Sequence, residues 1–80
     1  MVIKASRLNT IQFSLVHAGR MVRMARKDAG LTQVQLATVA GVTQGRISQI
    51  ENENGPPSID VLVSLVAACG FRLSVTLVAS

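Results

Sequence analysis

Few side chains in this sequence can do chemistry, and their spacing narrows the kind. There is one histidine, His17, and one cysteine, Cys69. Neither sits at catalytic or metal-ligand spacing from a suitable neighbour, and no glycine-rich phosphate loop occurs. The chain therefore reads as no enzyme, with no catalytic residue, no metal and no cofactor. What remains is a group of amides and hydroxyls between Thr32 and Asn52, with Arg46 among them. A glutamine amide can bond an adenine edge through two hydrogen bonds, and arginine can take a guanine or a phosphate. Contact with a nucleic acid is the chemistry these residues support, provided a helix presents them.

The flanking residues carry the pattern of such a helix. Thr32 is placed to cap a short helix from Gln33 to Ala40, with Val34, Leu36, Ala37 and Ala40 facing inward. Gly41 interrupts it. Thr43 caps a further helix from Gln44 to about Asn52, anchored by Ile47 and Ile50. Counting Gln33 as the first position, Ala37 is the fifth, Gly41 the ninth, Ile47 the fifteenth and Ile50 the eighteenth. A small fifth residue lets the two helices approach closely. A glycine at the ninth adopts the positive φ of the turn without cost. The N-terminal end of the second helix is then free to enter a major groove, where Gln44, Gly45, Arg46 and Gln49 meet base edges. Gly45 leaves room for close approach or for a thymine methyl. Thr32, Gln33, Thr43 and Asn52 are the expected phosphate contacts, since a helix N-terminus presents free N–H groups there. The plainer alternative is that all of these are ordinary exposed polar residues.

Composition agrees with a polyanionic partner. The chain has 80 residues and a net charge of +4, and six of its eight cations precede residue 28. That basic stretch is either a phosphate-attracting surface or simply a solvated helix face. With 49% apolar residues the chain is no disordered segment, and only Phe13 and Phe71 are aromatic, which argues against a base-stacking single-strand binder. The longest apolar run, Val61 to Cys69 with Ser64 inside it, is shorter than the roughly 20 residues that span a bilayer. Asn9, Thr10, Gln12 and Ser14 break any signal-peptide core. No membrane association is expected, and a lone cysteine suits a cytoplasmic protein.

The chain divides into an N-terminal arm (1–13), a helical DNA-binding domain (14–70) and a C-terminal strand (71–80). The arm is loose, with an extended stretch. Ser14 caps a first helix running to about Asp28, with Leu15, Ala18, Val22 and Ala25 inside and Arg20, Arg23 and Lys27 outside. His17 is expected on its surface, and Met21 and Met24 fill core or interface gaps. Ser58 caps a last helix from Ile59 to Cys69, stopped by Gly70. Ile59, Leu62, Val66 and Cys69 share one face, while Val61, Val63, Leu65 and Ala68 lie outside it. Phe71, Leu73, Val75 and Leu77 then alternate with polar residues in a strand pattern. A lone strand needs a partner for its backbone groups. The first expectation is the same strand of a second copy, and the competing partner is an N-terminal strand around residues 2–8.

The stretch Leu31-Thr32-Gln33, Leu36-Ala37, Gly41-Val42-Thr43-Gln44, Ile47-Ser48-Gln49-Ile50-Glu51-Asn52 and Pro57-Ser58 resembles the Cro/repressor-type (XRE-like) helix-turn-helix proteins. The resemblance covers about residues 15–70. It implies an all-α, lambda-repressor-like bundle of four or five helices that binds a palindromic operator on double-stranded DNA as a dimer. It also implies a salt bridge between Arg26 and Glu51, and it leaves Glu53 as a departure where the family usually has glycine. The tail resembles the C-terminal strand of HipB-type antitoxins, whose strands pair across a homodimer.

Together these readings give a sequence-specific transcriptional repressor, the antitoxin of a HipBA-like operon with a HipA-type kinase as partner. A stand-alone or HigA-type regulator is the alternative within this class. A protein-interaction module that does not bind DNA is the alternative outside it.

Overall fold

The structure, a computed structural model, describes residues 2–6, 10–14, 17–55 and 57–76. Three strands and four helices follow one another: β1 (Val2–Ser6), β2 (Thr10–Ser14), α1 (Ala18–Asp28), α2 (Gln33–Ala40), α3 (Gln44–Glu51), α4 (Ile59–Ala68) and β3 (Arg72–Thr76).

Local chemistry sets the helix ends. The Thr32 hydroxyl accepts from the Gln35 amide while the Gln35 side chain accepts from the Thr32 amide, a reciprocal capping box at the start of α2. Thr43 caps α3 by accepting from the Arg46 amide, and Ser58 caps α4 by accepting from the Val61 amide. Helix α1 differs. It begins at Ala18, behind His17, whose side chain makes no capping bond. Ser14, expected as its cap, is instead the last residue of β2. Helices α1, α3 and α4 end in the same Schellman turn, with the two amides after the cap bonded back to the last turn of the helix. The left-handed residue of that turn is Gly30 after α1 and Gly70 after α4, but Glu53 after α3, at φ 59°.

Ala18, Met21, Val22 and Ala25 of α1 pack with Leu36 and Ala37 of α2, Ile47 and Ile50 of α3, and Leu62, Leu65 and Val66 of α4 to form the core. Two expectations are corrected here. Val34 is 60% exposed and not inward, and Leu65 is buried while Ile59 lies at the surface. Helix α4 turns the Leu62–Leu65–Val66–Cys69 face inward because sheet and helices cover it from both sides. Leu15 lies outside the described residues.

The largest difference from expectation is the N-terminal segment. Residues 2–6 are no loose arm but the middle strand of an antiparallel sheet of order β2-β1-β3. The C-terminal strand finds its partner here, in its own chain. Ile3 lies opposite Val75 and Ala5 opposite Leu73. The competing partner, the N-terminal strand, thus takes one edge of β3, which stays an edge strand on its other side among the described residues. A tethered strand competes at high effective concentration, whereas a second copy must be recruited from solution. Ile3 and Ala5 are fully buried, and Leu73 packs at the margin of the core. Lys4, Arg72 and Ser74 take the other face. Phe71 is buried and Val75 is 42% exposed, so the strand covers α4 at its start more than at its end. Leu77 lies outside the described residues.

Strand β1 is therefore part of the domain's core. Ile3→Ala should cost about 2–5 kcal/mol, the range for truncating a fully buried isoleucine. Denaturant unfolding checks this, and a loss near zero would mean the strand is dispensable.

Candidate nucleic-acid interface

The polar side chains of the α2–α3 pair are held by one buried ion pair beneath them. Arg26 of α1 donates from Nε to Glu51 Oε2 at 2.7 Å and from Nη2 to Glu51 Oε1 at 2.9 Å. Its third nitrogen, Nη1, donates to the Leu31 carbonyl oxygen at 2.9 Å. The Glu51 side chain is 2% exposed and that of Arg26 11%. A bidentate fork with the third guanidinium nitrogen also bonded is the geometry in which a buried pair is tolerable. The Arg26 pKa is raised, first by its hydrogen bonds to Glu51, while burial works against it. The stability linked to that shift is fully present below the ordinary arginine range and lost only as pH rises past the raised value, so Arg26 stays charged at every pH the fold meets.

From this pair a relay runs outward to the surface. Gln33 Nε2 donates to Glu51 Oε1 at 3.4 Å, a long bond, and Gln33 Oε1 accepts from Gln44 Nε2 at 2.9 Å. Gln33, half-buried at the start of α2, is thus oriented from behind and in turn orients Gln44 at the start of α3. The chain Arg26–Glu51–Gln33–Gln44 joins α1, α2 and α3 through side chains alone, and the Leu31 backbone carbonyl is tied to its inner end.

Around Gln44 the surface is open. Gly45 is exposed, and a Cβ added there would meet nothing within 4 Å. Gln49 is exposed and Arg46 half-exposed, and neither makes a side-chain hydrogen bond or ion pair among the described residues. Thr32 and Thr43 are exposed with their hydroxyls used as caps, and Asn52 donates weakly to Ser48 Oγ at 3.4 Å. The structure brings Gln33, Gln44, Glu51 and Arg26 into one hydrogen-bonded unit and leaves Gly45, Arg46 and Gln49 as free surface beside it.

One residue that positions the site escaped the sequence reading. Gly19 lies inside α1, where a Cβ would collide with the Ile50 carbonyl oxygen and come within 3.0 Å of Glu53 Cγ. Its bare backbone lets α1 lie directly against the end of α3. A glycine inside the helix expected after Ser14 is the signal that could have found it, since a helix-interior glycine costs about 1 kcal/mol against alanine and so points to a close approach.

A family profile described as helix-turn-helix matches residues 22–75. This chain belongs to that helix-turn-helix family. The chain is 34% identical over 56 residues to an immunity repressor protein of Bacillus phage phi105, a match covering 70% of this chain and 39% of the relative. It is 37% identical over 51 residues to an HTH-type transcriptional regulator of Haemophilus influenzae, covering 64% and 52% of the two chains. It is 39% identical over 56 residues to a protein of Mycobacterium tuberculosis designated antitoxin HigA2, covering 69% and 55%. The match thus spans about half or less of each of these relatives. In this helix-turn-helix domain α2 and α3 are the two short helices joined by the tight turn at Gly41.

Glu51→Gln tests whether the ion pair holds the domain. It removes one partner of a buried pair and leaves Arg26 uncompensated, at a cost of about 3 kcal/mol, or more than about 10 °C in melting temperature for a domain of this size. Thermal unfolding by circular dichroism gives the answer; a shift of a degree or two would show that the pair is incidental.

Proposed function

We propose that this helix-turn-helix protein is a sequence-specific transcriptional repressor. It binds a palindromic operator as a homodimer in the cytoplasm, with α3 in the major groove. The observation that carries this reading is the relay from the buried Arg26–Glu51 pair to Gln44. It fixes a base-reading amide before DNA arrives, so that little side-chain freedom is lost on binding. Gln44 keeps its carbonyl oxygen and one amide proton for an adenine edge. Gln49 and Arg46 supply further readout, and Gly45 allows close approach. Thr32, Thr43 and Asn52, with the backbone N–H groups at the start of α2, hold phosphates, as does the remaining proton of Gln33. Arg23 and Lys27, exposed on α1, add long-range attraction.

A dimer places two recognition helices roughly 34 Å apart, one turn of DNA. Among the described residues β3 is an edge strand with Val75 42% exposed on it, and such pairing would use that edge. An antitoxin role follows as a second reading, favoured by the similarity to HigA2. A HigA-type setting fits it better than a HipA-type kinase partner, because the tail that suggested the latter finds its strand partner within the chain.

The test is binding to a duplex selected by this chain from a random-sequence pool, beside an unselected duplex of equal length. Gln49→Ala should weaken the selected duplex by about 1–3 kcal/mol and leave the unselected one nearly unchanged. Both affinities should fall steeply with salt. Equal losses on the two duplexes, or no sequence selected at all, would refute base reading by α3.

A further inference from the structure

The left-handed position after α3 carries a cost that the equivalent positions avoid. Gly30 and Gly70 close α1 and α4 without strain, but Glu53 closes α3 at φ 59°. A side chain in that conformation costs about 1–2 kcal/mol where glycine costs nothing. Something must offset it, and the surroundings of the carboxylate show what.

Glu53 folds back across bare Gly19 toward the start of α1. There its Oε1 lies 3.6 Å from His17 Nδ1 and 3.6 Å from Arg20 Nε. Among the described residues, Glu53 Oε1 and His17 Nδ1 are the two buried side-chain polar atoms with no hydrogen-bond partner, and they face each other. An orphaned donor and an orphaned acceptor at this distance account for one another: a shift of a few tenths of an ångström makes the bond. The same turn binds the recognition helix, since the Glu53 amide donates to the Ile50 carbonyl and the Asn54 amide to that of Gln49.

We propose that Glu53 is a positioning residue for operator recognition, held by His17 and Arg20, so that the C-terminal end of α3 is strapped to α1. This rests on the DNA-binding reading above. The strap complements the Arg26–Glu51 pair. The pair fixes α3 at its inner face, and the strap fixes its end. It also holds a carboxylate back toward α1, where Arg20 offsets the charge that phosphates would repel.

The sign of the effect separates this role from simpler ones. Loss of a negative charge near DNA raises affinity for every duplex alike. A residue that only builds the turn loses nothing when replaced by glycine. A positioning residue loses discrimination in both variants. Glu53→Gln and Glu53→Gly are therefore each titrated with the selected and the unselected duplex. The expected result is about a fivefold weaker hold on the selected duplex, the size of one partly exposed charge pair, with the unselected duplex bound no more weakly than before. Affinities that rise together, or a glycine variant with unchanged discrimination, overturn the proposal. Amide hydrogen exchange on Glu53→Gln needs no DNA. Faster exchange at Glu53 and Asn54 supports the strap and unchanged exchange overturns it, even if the wild-type chain selects no sequence.

Discussion

The polar surface of the α2–α3 pair depends on one buried ion pair. Arg26 and Glu51 are 25 residues apart, on the first helix and at the end of α3. Neither charge could remain buried alone, so the two helices are obliged to meet at one register. The Leu31 carbonyl accepts from the third guanidinium nitrogen, which ties the entry to α2 to the same point. Gln33 reads the outer lone pairs of Glu51 and passes that orientation to Gln44. Hydrophobic packing of Ile47 and Ile50 supplies most of the attraction between α3 and the core, but it is not directional. The ion pair and its relay supply the direction.

The helical part of this arrangement was legible in the sequence because it is local. Caps at Thr32, Thr43 and Ser58, and glycines at 30, 41 and 70, mark helix ends through bonds within a few residues. The spacing of Ala37, Gly41, Ile47 and Ile50 encodes the packing of one helix on the next. The relay was half legible. Gln33 and Gln44 read as two separate DNA-contacting residues, and nothing in their spacing shows that one holds the other. Gly19 and Glu53 were harder, since Gly19 makes sense only against the Ile50 carbonyl and the Glu53 side chain across the α1–α3 contact, and Glu53 only against bare Gly19.

The strands were read least well, and the reason is physical. Only five residues make each of β1 and β3, and β1 alternates buried Ile3 and Ala5 with Lys4 in a stretch too short and mixed to stand out. The pairing joins residues 2–6 to residues 72–76, across the whole helical part, where no local signal exists. Sequence could say that the tail strand needed a partner, but not which. The sheet matters for the site because β1 and β2 close over α1, the helix that carries both Arg26 and Gly19.

Gln33 and Gln44 form one unit prepared from beneath by Glu51. A double-mutant cycle on these two residues tests it most directly, with Gln33→Ala, Gln44→Ala and the pair titrated against the selected and the unselected duplex. Residues in one hydrogen-bonded network couple by about 0.5–3 kcal/mol, so the double variant should lose markedly less affinity for the selected duplex than the two single losses combined, with no coupling on the unselected one. Strictly additive losses on the selected duplex would show that the two amides act independently and would contradict the account.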